Sequence, residues 1–72
     1  MRQVDAPRLV GGLLESGLVQ LSHGNWSGAL WLAHAIISVA IWGGEPYDEI
    51  ERLGVALRTA ALELPRKWRA FA

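Results

Sequence analysis

The sequence predicts an all-α protein, a three-helix arrangement of antiparallel helical hairpins. Apolar residues recur at helical spacing in three segments, glycines separate those segments, and no segment alternates apolar and polar residues as a strand would. Helices joined by about two to eight residues normally pack antiparallel to their neighbours. With 72 residues, we expect a single helical domain over 1–72.

The first helix is predicted over about 7–22. Pro7 suits the first turn, where a missing backbone N–H costs nothing, and Asp5 or Ala6 stands just before it. Gly24 follows the helical pattern and can end the helix in a left-handed conformation. Residues at helical spacing form one apolar stripe: Val10, Leu14, Gly17, Leu18 and Leu21.

The second helix is predicted over about 27–42, with Asn25 or Ser27 as its N-cap and Gly43-Gly44 at its end. No Asp, Glu, Lys or Arg occurs from Ser16 to Gly44. A helix that is apolar nearly all round is normally buried. One apolar side comprises Leu30, Ala33, Ile37 and Ile41.

The polar side chains of this helix lie along one line on its surface, together with two tryptophans: Ser27, Trp31, His34, Ser38 and Trp42. Two short neighbouring helices cannot cover every side of the central one, so we expect this line to face solvent or a second subunit. Contiguous exposed apolar patches mark interaction sites, and tryptophan is enriched at interface hot spots. The alternative is that the tryptophans fill a small core.

The third helix is predicted over about 46–64. Pro46 lies near its first turn, and Asp48, Glu49 and Glu51 place negative charge at the positive end of the helix dipole. Pro65 lacks an N–H, so we expect the helix to stop or kink there. A basic and aromatic tail, 65–72, follows.

A second architecture competes with the soluble one. The segment 27–44 offers eighteen residues without Asp, Glu, Lys or Arg, and a single membrane span needs about 20 mostly apolar residues. No Lys or Arg flanks the segment closely, where anchoring bases are usual. A single-span membrane subunit is therefore the alternative hypothesis, and a cytoplasmic protein is the leading one.

The composition excludes several kinds of site. There is no cysteine, which rules out disulfides and thiolate metal ligands and is compatible with the cytoplasm. Seven basic residues balance seven acidic ones, so the net charge gives no attraction to nucleic acid, and we expect a protein partner or self-association instead. No nucleophile elbow or phosphate-binding glycine loop is present. We therefore expect no enzymatic activity, no cofactor and no metal.

The stretch "LLESGLVQLSHGNWSGALWLAHAII" resembles one tetratricopeptide hairpin. Gly17 stands at the small-residue position of the first helix, Gly24-Asn25-Trp26 at the turn, and Ala29 in the second helix. The chain departs from that pattern at Ser16, Gln20 and Ile36. From this resemblance we take only an architecture of helical hairpins.

These observations predict a small non-enzymatic protein–protein interaction module, acting as a homo-oligomer, an accessory subunit or a regulator of a larger assembly. The tail residues are a secondary contact, the alternative being that Trp68 and Phe71 fold back onto the core. The predicted partner-binding residues are Trp26, Trp31, His34, Trp42, Arg66, Lys67, Trp68 and Arg69.

Overall fold

The structure, a computed structural model, describes residues 5–42 and 47–71, with the side chains of 5–42 and 47–67. It contains helix α1 (Ala6–Ser22), helix α2 (Trp26–Ile41) and helix α3 (Tyr47–Phe71). The described ranges contain no strand. The predicted all-α, three-helix class is therefore confirmed, and the contacts between the helices are consistent with antiparallel hairpins.

Helix α1 begins and ends at the predicted signals. The Asp5 carboxylate accepts a hydrogen bond from the backbone N–H of Arg8 at 3.3 Å, and Pro7 lies in the first turn. At the other end Gly24 has φ 76°, the left-handed conformation that costs glycine little.

The connection between α1 and α2 is held by Asn25, one of the two predicted N-caps. Its carboxamide oxygen accepts from the backbone N–H of Gly28 at 3.1 Å, and its amide nitrogen donates to the Gln20 side-chain oxygen at 2.7 Å. Its backbone N–H donates to the Gln20 carbonyl at 2.8 Å. One residue therefore ties the end of α1 to the start of α2.

We expect Asn25→Ala to lower the free energy of unfolding by about 1–2 kcal/mol, because the cap and its bond to Gln20 are both lost. Urea denaturation followed by circular dichroism measures the change. Ser27→Ala is the matched control, since its hydroxyl contacts only the Asn25 side chain, at 3.2 Å. Equal losses in the two variants would show that the Asn25 cap does not stabilise the turn.

Helix α2 lies at the centre of the fold. It packs against both other helices, which contact each other less than either contacts α2. Five of the nine buried apolar residues in the described part of the chain are alanines, so the helix axes can approach closely. The core comprises Ala6, Val10, Ala29, Ala33, Ile36, Ala40, Ile50, Leu57 and Ala61.

The predicted end of α3 at residue 64 is wrong, because the helix continues through Pro65 to Phe71. A proline within a helix removes one hydrogen bond and crowds the carbonyl four residues earlier. Leu64 and Pro65 are both half-buried, so packing offsets part of that cost. The neighbouring residues Leu62, Glu63 and Arg66 are also strong helix formers.

Candidate functional site

The exposed side of α2 carries the strongest candidate site, which we call the tryptophan face. Its members are all exposed: Ser27, Trp31, His34, Ser38, Ile41 and Trp42. Trp31 is 77% exposed, Trp42 is 88% exposed and Ile41 is 65% exposed. Folded proteins rarely leave two tryptophans on one side of a helix this open to water.

The reason for this exposure is the position of the core. Ala33 and Ile36 lie at the centre of the buried side of α2, together with Ala29 and Ala40. A helix turns by about 100° per residue, which places Trp31 and Trp42 on the opposite side. In the structure Trp31 and Trp42 therefore do not fill the core, which was the alternative interpretation of the sequence.

Ile41 was missed by the sequence pattern, which grouped it with Leu30, Ala33 and Ile37 on one apolar side. It is the last residue of α2 and is 65% exposed, although Ala40 directly before it is buried. The sequence does contain one indication of its exposure, since Ile41 lies next to Trp42, near the end of the uncharged segment.

Trp26 does not share the tryptophan face, although the sequence grouped it with the other binding residues. It is the first residue of α2 and is 36% exposed. Five residues of helix separate it from Trp31, a rotation of about 140° around the axis. The structure therefore brings Trp31, His34 and Trp42 together and leaves Trp26 on another side.

The tryptophan face carries no Asp, Glu, Lys or Arg, and its polar groups are the side chains of Ser27, His34 and Ser38 and the two indole N–H groups. The Ser38 hydroxyl donates to the His34 carbonyl oxygen at 2.8 Å, so its proton is directed into the helix and not outward. The imidazole of His34 is exposed. A partner docking here would have to desolvate the His34 imidazole, the hydroxyls of Ser27 and Ser38 and the two indole N–H groups, but no carboxylate, ammonium or guanidinium group.

The structure describes only some of the side chains of the basic tail. Arg66 and Lys67 lie exposed on α3, and the Arg66 guanidinium is 3.8 Å from the Glu63 carboxylate. An exposed pair of this kind contributes little to stability. The side chains of Trp68, Arg69 and Phe71 lie outside the described residues. The prediction that Trp68 and Phe71 fold back onto the core therefore concerns side chains that the structure does not describe.

A second apolar surface was missed by the sequence reasoning. It is a groove between α1 and α3, and the loose contact between these two helices opens it. Its signal in the sequence was weak, because the same residues belong to the stripes that predict the core. The groove is lined by Pro7, Val10, Gly11, Leu14, Glu49, Ile50 and Leu53.

Within 5–42 and 47–71 no helix combines the length and the apolar character needed to cross a bilayer. Helix α2 has 16 residues, about 24 Å, whereas the hydrocarbon core is about 30 Å thick. The last two residues of the predicted span 27–44 lie outside the described residues. In the same ranges, no group of three His, Asp or Glu side chains is placed to hold a metal ion.

The chain was compared with protein-family models, with curated proteins and with solved structures, and none of them matches it.

Proposed function

We propose that this protein is a non-enzymatic protein–protein interaction module that binds its partner through the tryptophan face. It would act as a homo-oligomer, an accessory subunit or a regulator of a larger assembly. The observation that carries the proposal is the exposure of Trp31 and Trp42, 77% and 88%, on a helix side without charged residues. A cytoplasmic location belongs to the proposal and is compatible with the absence of cysteine.

The energetics of burial favour this use of the two indoles. A tryptophan buries roughly 150–250 Å² on contact, and apolar area contributes about 25 cal/mol per Å². Trp31 and Trp42 would therefore each contribute roughly 4–6 kcal/mol before the entropic cost of association is subtracted. The lack of charge on this face avoids the desolvation penalty that buried ions would add.

Photocrosslinking tests the proposal directly. A benzophenone amino acid in place of Ser38 lies between Trp31 and Trp42, and we expect it to crosslink to protein in intact cells. Thr59 is the matched control position. Like Ser38 it is exposed, and its hydroxyl donates to the carbonyl four residues earlier, at 2.9 Å, but it lies on the water-facing side of α3.

The expected result is a crosslinked protein band from position 38 that is absent from position 59. Trp31→Ala combined with Trp42→Ala should remove that band while circular dichroism shows unchanged helicity. A band that persists in the double variant, or equal bands from the two positions, would show that the tryptophan face is not the contact.

A further inference from the structure

We propose that the partner of the tryptophan face is a second copy of this chain, bound by an antiparallel pairing of the two α2 helices. This inference rests on the proposed function and names its partner. It requires that one side of α2 be complementary to itself under a two-fold axis, as every symmetric dimer interface must be.

The spacing along α2 is that of a helix–helix seam. Trp31, Ala35, Ser38 and Trp42 follow each other at steps of four, three and four residues, the heptad spacing of coiled-coil contact positions. The two tryptophans and Ser38 are exposed, and Ala35 is half-exposed. The seam is therefore open along its length, and a second helix can lie on it.

The order of large and small residues fits an antiparallel partner. A two-fold axis between residues 36 and 37 places Trp31 opposite the partner's Trp42, and Ala35 opposite the partner's Ser38. The small residues at the centre let the two helix axes approach closely. At each end of the seam, an indole of one copy then packs against an indole of the other. The two ends lie about 16 Å apart along the axis.

Charge also selects the antiparallel arrangement. The face itself carries no Asp, Glu, Lys or Arg, so two copies meet without repulsion, and the chain as a whole has zero net charge. Asp48 and Glu49 lie in the first turn of α3, which follows α2 after a short connection. A parallel pair would bring these acidic turns to one end, whereas an antiparallel pair separates them and also opposes the helix dipoles.

The two indoles supply much of the area that such a dimer needs. Trp31 is 77% exposed and Trp42 is 88% exposed. Two buried tryptophans account for roughly 300–500 Å² in each copy. Each partner in a standard interface buries roughly 800 Å², so the indoles would provide about half of it.

Sedimentation equilibrium of the purified chain tests the proposal. We expect a mass twice 7.9 kDa at micromolar concentration. Trp31→Ala with Trp42→Ala should raise the dimer dissociation constant at least about 100-fold, because the four indoles of the two copies supply most of the apolar contact and tryptophan is enriched at interface hot spots. Ser38→Lys should do the same without touching the tryptophans, since it places like charges across the two-fold axis at a position exposed in the monomer.

The control variant is Leu18→Ala with Leu62→Ala, which removes two exposed leucines of α1 and α3 and should leave the dimer intact. Circular dichroism checks that each variant keeps its helicity. Because the chain has no cysteine, Ser27→Cys carries a unique spin label. The antiparallel pairing predicts that the two labels lie about 28 Å apart along the helix axis, and a parallel one predicts a much shorter distance.

A monomeric mass at all concentrations would overturn this proposal, and so would a dimer that survives both Ser38→Lys and the double tryptophan change. A short distance between the labels would overturn the antiparallel arrangement. A monomer that nevertheless crosslinks to another protein from position 38 would leave the proposed function standing and refute only the identity of the partner.

Discussion

Ile36→Ala is expected to lower the free energy of unfolding by about 2–5 kcal/mol. Ile36 is 0% exposed and is the largest fully buried side chain among the described residues. Its neighbours on the buried side of α2 include Ala29, Ala33 and Ala40, whose side chains are too short to fill the space left behind. The loss therefore combines the removed apolar area with a cavity that cannot collapse.

A domain of 72 residues has a total stability of about 4–11 kcal/mol, so this one change should leave a marginal fold. Urea denaturation monitored by circular dichroism measures it. Leu62→Ala is the control, because Leu62 is 44% exposed and its truncation should cost well under half as much. If the two variants lost equal stability, Ile36 would not be at the centre of the core.

Gly54→Ala is expected to destabilise the protein by about 1–3 kcal/mol, although alanine is the better helix former. A Cβ atom at this position would lie 2.6 Å from Cγ1 of Ile37 and 3.2 Å from the carbonyl oxygen of Ala33. The isoleucine side chain can shift, but the backbone of α2 cannot move without separating the helices. The glycine therefore allows the close approach of α2 and α3.

Gly12→Ala is the matched control for this prediction. A Cβ added at Gly12, in the middle of α1, meets nothing within 4 Å. Here the helix propensity of alanine acts alone, and we expect a gain of about 0.5–1 kcal/mol. Thermal unfolding of both variants gives opposite shifts of Tm if the structure is right. Two shifts of the same sign would show that Gly54 is not a packing contact.

Much of the fold could be predicted from the sequence, since its signals are local. Pro7, Gly24 and Asn25 act within one turn of their own position, and they set the limits of α1 and the start of α2 as predicted. Pro65 is the exception. Its local rule ends a helix, but α3 continues through it, with Leu64 and Pro65 half-buried, and burial is a property that a local rule does not contain.

The candidate site shows the same division. The uncharged character of α2 and the line through Trp31, His34 and Trp42 are properties of the sequence alone. Which side of the helix meets water was decided by the tertiary structure, because α1 and α3 cover the side of Ala33 and Ile36. That choice exposed Ile41 and opened the groove between α1 and α3, whereas the separation of Trp26 from Trp31 follows from the rotation of the helix itself. Periodicity describes one helix at a time, whereas exposure depends on where the neighbouring helices pack.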